Sequence, residues 1–224
     1  MNKTFVALDG MNRQEVLDLL SQYPQIKNVK IGLELFLRYG RELVKEIKEK
    51  FKVQIFLDLK LHDIPTTVAK ACNALEGLDI RFLTVHATGG AAMLSLAQES
   101  ISKVIPGCEI LAVTILTSHD QDDIQNIWGR SHKDALINLL QEVKASSVRG
   151  IVCSGLDLDI VNFFENESNL NFSKVCPGIR LDGDHDDQVR VMTPEAAIKA
   201  GANYLVVGRP ITKNPEVLQE NLFP

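Results

Sequence analysis
Eight short apolar runs, spaced by stretches long enough for helices, constrain this chain more than any other feature. The runs cover residues 4–8, 28–31, 53–59, 80–86, 109–116, 150–153, 174–176 and 204–207, and amphipathic segments such as 13–21, 34–50, 66–75, 91–104 and 133–146 lie between them. The short runs read as strands and the longer segments as helices. Parallel strands need helical crossovers, and eight such units in 224 residues close into a ring. The expected fold is therefore α/β, a (β/α)8 barrel. An open doubly wound sheet is the alternative, but Asp9-Gly10-Met11-Asn12 after the first run is not the GxGxxG fingerprint of its dinucleotide-binding members. No Gly/Ser linker or shift of composition divides the series, so residues 1–224 are expected to form a single domain.

The third run ends in an unusual concentration of charge. In Phe56-Leu57-Asp58-Leu59-Lys60-Leu61-His62-Asp63-Ile64-Pro65, strand alternation sends Gln54, Phe56, Asp58 and Lys60 to one face and Ile55, Leu57 and Leu59 to the other. Asp63 follows just beyond, and Pro65 marks the exit into the next element. An exposed ion pair on a strand is one reading, contributing about 0 to 1 kcal/mol. The apolar character of residues 53–61 argues instead for a sheet buried on both faces, where charge at a strand end needs a reason.

Barrels carry their chemistry at the C-terminal ends of the strands. Asp9 follows run one and Lys30 lies in run two, with Val29 and Ile31 facing the other way. Asp58 and Lys60 end run three, Thr117 follows run five, Arg180 follows run seven, and Gly208-Arg209 closes run eight. Plainer readings stand beside these: Asp9 as the N-cap of helix 13–21, Lys30 as a frayed-strand lysine, Thr117 as a turn hydroxyl. His86, which ends run four, is read as structural. Gly208 admits close approach of a ligand to the backbone, and Arg209 can offer phosphate oxygens a bidentate fork.

A formal charge of -5 and the absence of a Lys/Arg tract argue against a nucleic-acid surface, so any anion must be held by a local pocket. Cys72, Cys108, Cys153 and Cys176 lack CxxC spacing and read as buried free thiols of a reducing, cytoplasmic setting. No uncharged apolar run reaches membrane-spanning length, and the N-terminus lacks the apolar stretch of a signal peptide. The five histidines show no metal-ligand spacing, and no metal is expected.

The segment from Asp58 to Thr67 resembles the DxKxxDIPxT signature of the orotidine 5′-phosphate decarboxylase family. Similar motifs recur in order: Val6-Ala7-Leu8-Asp9, Val29-Lys30-Ile31-Gly32, Val113 to Ser118, Pro177-Gly178-Ile179-Arg180, Gln188 to Pro194 and Val207 to Thr212. Thr66 departs from the Asn that many members carry, while the charged positions are intact. The resemblance implies a homodimeric barrel, without cofactor or metal, that converts orotidine 5′-monophosphate to UMP and CO2 in the last step of de novo UMP synthesis. It implies that Lys30, Asp58 and Lys60 form a charged network completed by Asp63 of the partner subunit, with Lys60 the proton donor. Asp9 and Lys30 are implied at the ribose, Thr117 at the pyrimidine, and Arg180, Gln188, Gly208 and Arg209 at the phosphate, with Ile64 and Thr67 completing the neighbouring site. The acidic segment 182–187, with Gly183, is the candidate lid. Two alternatives remain: a metal-dependent sugar-phosphate lyase or synthase, in which an acidic ligand replaces the lysine of run two, and a noncatalytic phosphate-ligand barrel.

Overall fold
The computed structural model describes residues 3–180 and 191–219. Its strands are β1 (Thr4–Ala7), β2 (Asn28–Gly32), β3 (Gln54–Leu61), β4 (Phe82–His86), β5 (Glu109–Val113), β6 (Gly150–Val152), β7 (Ser173–Cys176) and β8 (Tyr204–Val207). All pair in parallel with their sequence neighbours, and β8 pairs with β1, which closes the expected barrel. The helices are α1 (Arg13–Gln22), α2 (Leu33–Lys50), α3 (Pro65–Asn73), α4 (Gly90–Val104), α5 (Gln121–Trp128), α6 (His132–Ala145), α7 (Leu158–Ser168), α8 (Pro194–Lys199) and α9 (Arg209–Thr212). None is long and apolar enough to cross a membrane, among the described residues.

Strand alternation sorts the apolar side chains into two bodies. Val6, Val29, Ile31, Ile55, Leu57 and Leu83 face outward and pack under the helices. Phe5, Ala7, Phe56, Phe82, Leu111, Val175 and Val206 face inward and fill the barrel. Phe5 meets Phe56 edge-on with ring centroids 5.7 Å apart, Phe56 meets Phe82 at 6.0 Å, and Tyr204 adds a further edge contact to Phe82 at 5.3 Å. Edge-to-face contacts of this kind add about 0.5–1.5 kcal/mol per pair beyond the burial of the rings. The plug of rings raises a floor on which the strand-end charges stand.

Helix ends explain two local points. Asn12, not Asp9, caps α1: its side chain accepts from the N–H groups of Gln14 and Glu15, while Glu15 accepts from the Asn12 N–H at 2.7 Å. This reciprocal box satisfies donors that the first turn leaves open and frees Asp9 for other work. Helix α2 is interrupted at Gly40, whose φ of 60 is accessible to glycine at little cost. All four cysteines are free and buried.

Candidate active site
The C-terminal strand ends surround a cavity of about 440 Å³. Asp9, Lys30, Asp58, Lys60, Thr117, Arg180, Gly208 and Arg209 all line it, together with Phe56 and Val206 of the floor. Residues from β1, β2, β3, β5, β7 and β8 thus meet in one place: Lys30 and Asp58 lie within the C-terminal parts of β2 and β3, Lys60 next to the end of β3, and the others past the ends of their strands.

Three charges are locked together on β2 and β3. The Lys60 ammonium donates to both oxygens of Asp58, at 2.8 and 2.7 Å. Lys30 Nζ lies 3.3 Å from Asp58 Oδ2 and 2.5 Å from Asp9 Oδ2. The Lys30 and Asp58 side chains are only 9% and 10% exposed, whereas Lys60 is 38% exposed and reaches the open cavity. Lys30 is therefore a buried cation rather than a frayed-strand lysine.

Burial by itself pushes a lysine toward its neutral form, yet the carboxylates of Asp58 and Asp9 more than reverse this and hold the Lys30 pKa above its ordinary value. For Asp58 burial favours the protonated acid, and Lys30, Lys60 and the Thr84 hydroxyl together outweigh it, leaving the pKa below the usual carboxylate range. Each group keeps the other charged. With Asp9, the array holds two cations and two anions, balanced before any ligand arrives.

Gly32 is what lets Asp9 reach Lys30. A Cβ on Gly32 would stand 1.8 Å from Asp9 Oδ1. Across the cavity, Arg180 is buried and donates from Nη1 to the Ile179 carbonyl at 3.0 Å, while its Nε–H makes no hydrogen bond among the described residues. Arg209 opens α9 immediately after β8, and Thr117 sits in the turn after β5.

Asp63, Ile64 and Thr67 are placed differently. All three are exposed, Ile64 to 64%, and none lines the cavity of its own chain. The Asp63 carboxylate accepts the N–H of Ile64 at 2.6 Å. Gln188 and the segment 182–187 lie outside the described residues. His86 ends β4 half-buried, its ring 5.5 Å from that of His62. Burial, then the neighbouring His62 and Lys60, lower its pKa and keep it neutral near pH 7. Thr84, in the middle of β4, touches the array and carries no sequence signal: a threonine in a buried strand is ordinary.

Closed eight-stranded barrel and charged strand ends together define a (β/α)8-barrel enzyme whose site lies at the C-terminal mouth. The sequence matches the family described as "Orotidine 5′-phosphate decarboxylase / HUMPS family" over residues 2–221, and the chain belongs to that family. It is 42% identical over 220 residues to the orotidine 5′-phosphate decarboxylase of Staphylococcus saprophyticus, covering 95% of this chain and 92% of the relative. The protein of the same name from Wolbachia pipientis is 39% identical over 218 residues, covering 96% and 93%. The crystal structure of orotidine 5′-phosphate decarboxylase from Lactobacillus acidophilus superimposes with a TM-score of 0.83 at 33% identity, covering 98% of this chain and 96% of that one.

Proposed function
We propose that this protein decarboxylates orotidine 5′-monophosphate to UMP and CO2 as a step of pyrimidine biosynthesis. The observation that carries the reading is the Lys30–Asp58–Lys60 array at the cavity, with the partly exposed Lys60 ammonium held bidentate on Asp58. Breaking the bond between C6 of the pyrimidine and its carboxylate leaves an electron pair in an sp² orbital that the ring delocalises poorly. A fixed cation beside C6 lowers that barrier, and prompt protonation removes the product carbanion. Lys60 does both: its ammonium donates a proton to C6, becomes an amine, and is recharged from solvent. Asp58 accepts from the Lys60 ammonium on both oxygens and so holds it in place until that moment.

Around this centre, Asp9 and Lys30 hold the ribose hydroxyls, Thr117 the pyrimidine, and Arg180, Gln188, Gly208 and Arg209 the phosphate. The buried Arg180 Nε–H and the Arg209 fork suit an anion. Phosphate binding far from C6 contributes to turnover by fixing the ring over Lys60.

Asp63, Ile64 and Thr67 complete the site of a second subunit in a homodimer. Their exposure on the rim, outside their own cavity, fits that use. No cofactor or metal takes part, and the setting is cytoplasmic. The rival metal-dependent sugar-phosphate chemistry needs an acidic ligand on β2, where the Lys30 ammonium instead meets Asp9 and Asp58. A cation there repels a divalent metal.

Loss of orotidine 5′-monophosphate absorbance, followed with and without chelator, tests the activity. Turnover that survives chelation and is abolished by Lys60→Ala is expected; turnover that needs a divalent metal, or a fully active Lys60→Ala variant, overturns it. Mixing inactive Lys60→Ala and Asp63→Ala proteins under subunit exchange restores one intact site per mixed dimer, about a quarter of wild-type activity on random mixing. Absence of recovery rules out the shared site.

A further inference from the structure
Strands β3 and β4 run in register from Phe56↔Phe82 to Leu57↔Leu83, lose it, and regain it at Leu61↔Val85. Between the two matched stretches, Asp58, Leu59 and Lys60 stand opposite the single residue Thr84. Such a bulge leaves backbone donors without their ladder partners. Lys60 closes it with φ 47, left-handed backbone that a long side chain adopts only when its surroundings enforce it.

One hydroxyl is placed to enforce it. Thr84 Oγ1 accepts the Lys60 N–H at 2.8 Å, replacing the missing ladder acceptor, and donates to Asp58 Oδ1 at 2.9 Å. Both capacities of the hydroxyl are therefore used within one strand pair. Thr84 itself is fully buried and does not line the cavity, so it reaches no ligand. It ties the main chain of the ammonium-bearing residue to the side chain of the carboxylate that holds the ammonium. Asp58 Oδ1 then receives Lys60 Nζ as well, which closes a loop from backbone to hydroxyl to carboxylate to ammonium.

We propose that Thr84 is a positioning residue for proton donation by Lys60, its hydroxyl fixing the strained Lys60 backbone and the Asp58 carboxylate in one arrangement. The proposal rests on the decarboxylase reading for its kinetic consequence and on geometry alone for its structural one. Misplacement of a reacting group by about 1 Å can cost on the order of 100-fold in rate. Without the hydroxyl, Lys60 is free to relax toward ordinary strand geometry and its ammonium moves off target, while the groups proposed to hold ribose and phosphate stay in place.

Three variants decide the matter. Thr84→Val keeps the shape of the side chain and deletes the hydroxyl; Thr84→Ser keeps the hydroxyl; Thr84→Cys serves as the deletion if the valine protein does not fold. At a temperature well below each melting point, kcat is expected to fall about 10- to 100-fold in Thr84→Val with KM within about threefold of wild type, and Thr84→Ser is expected to recover kcat to within about threefold. Amide hydrogen exchange at Lys60 supplies a readout independent of substrate: it accelerates at least about tenfold in Thr84→Val and not in Thr84→Ser. Full kcat in Thr84→Val, a loss confined to KM, or equal losses in the valine and serine proteins overturns the proposal. If the wild-type protein does not turn over orotidine 5′-monophosphate, the functional reading fails by itself, and unchanged Lys60 exchange in Thr84→Val then sinks the structural claim separately.

Discussion

Replacing Lys30 with methionine tests whether a buried cation holds the array together. Methionine occupies similar space without charge, so the change isolates the ammonium that lies 2.5 Å from Asp9 and 3.3 Å from Asp58. Removing one partner of a buried pair costs about 3–5 kcal/mol, because the remaining charge loses its compensation. Here Asp58 keeps Lys60 on both oxygens and the Thr84 hydroxyl, and Asp9 is partly solvated, which places the cost near the lower end, about 3 kcal/mol. An unfolding entropy of about 2.1 cal/mol/K per residue makes 1 kcal/mol worth about 2 °C in a chain of this size. A fall in Tm of about 6 °C follows, at fixed protein concentration.

The pH dependence supplies an independent check. The Lys30 pKa is raised above its ordinary 10.5, so the stability it contributes is fully present below that value and is lost as pH rises through the higher folded-state pKa. Urea denaturation is therefore expected to show a constant gap between wild type and Lys30→Met from about pH 6 to 9, narrowing above about pH 10.5. Asp58 acts at the other end: its depressed pKa contributes stability present above about pH 4 and lost on further acidification. A methionine protein as stable as wild type at pH 7, or a gap that widens with alkali, refutes the view that Lys30 is charged and held in place.

Other perturbations follow from the same geometry. Gly32→Ala is permitted by the extended backbone at that position, but its Cβ displaces Asp9, so KM is expected to rise about tenfold with a smaller change in kcat; steady-state kinetics checks it. Arg209→Lys keeps the charge and loses the planar fork, and is expected to raise KM for the nucleotide about 10-fold or more while leaving Tm within about 2 °C. Burial pushes the Cys72 thiol up to about 11 and Cys108 up to about 12, so alkylation of the native protein at pH 8 is expected to be slow and to become complete only in denaturant, as mass spectrometry reads directly.

Much of the barrel can be read from alternation and spacing. Run 204–207 coincides with β8, and helix 91–104 differs from α4 by one residue at its start. The apolar pattern of 109–116 overruns β5, Glu109–Val113, because Thr114 still donates its N–H to the Val152 carbonyl and Ile115 and Leu116 are fully or partly buried at the mouth beyond the strand. The apolar run stops at residue 59, but alternation carries the strand through Lys60, and β3 does include Lys60 and ends one residue later at Leu61. Asp58 and Lys60 were visible because charge on a buried strand is costly. Thr84 and the bulge were not, since a hydroxyl doing two jobs looks the same in a sequence as a threonine chosen for its β-branch, and register shifts depend on the partner strand. The cap on α1 went to Asn12 because it stands directly before the helix, with Glu15 placed to reciprocate.

The ring of Phe5, Phe56, Phe82 and Tyr204 beneath the charges has a kinetic corollary. Among the described residues the rings stopper the far end of the tube, so arriving and departing nucleotide are both expected to pass the threshold at the mouth. Whatever lingers there after turnover excludes the next arrival, so the nucleotide product is expected to compete head-on with the nucleotide substrate instead of slowing the enzyme from elsewhere.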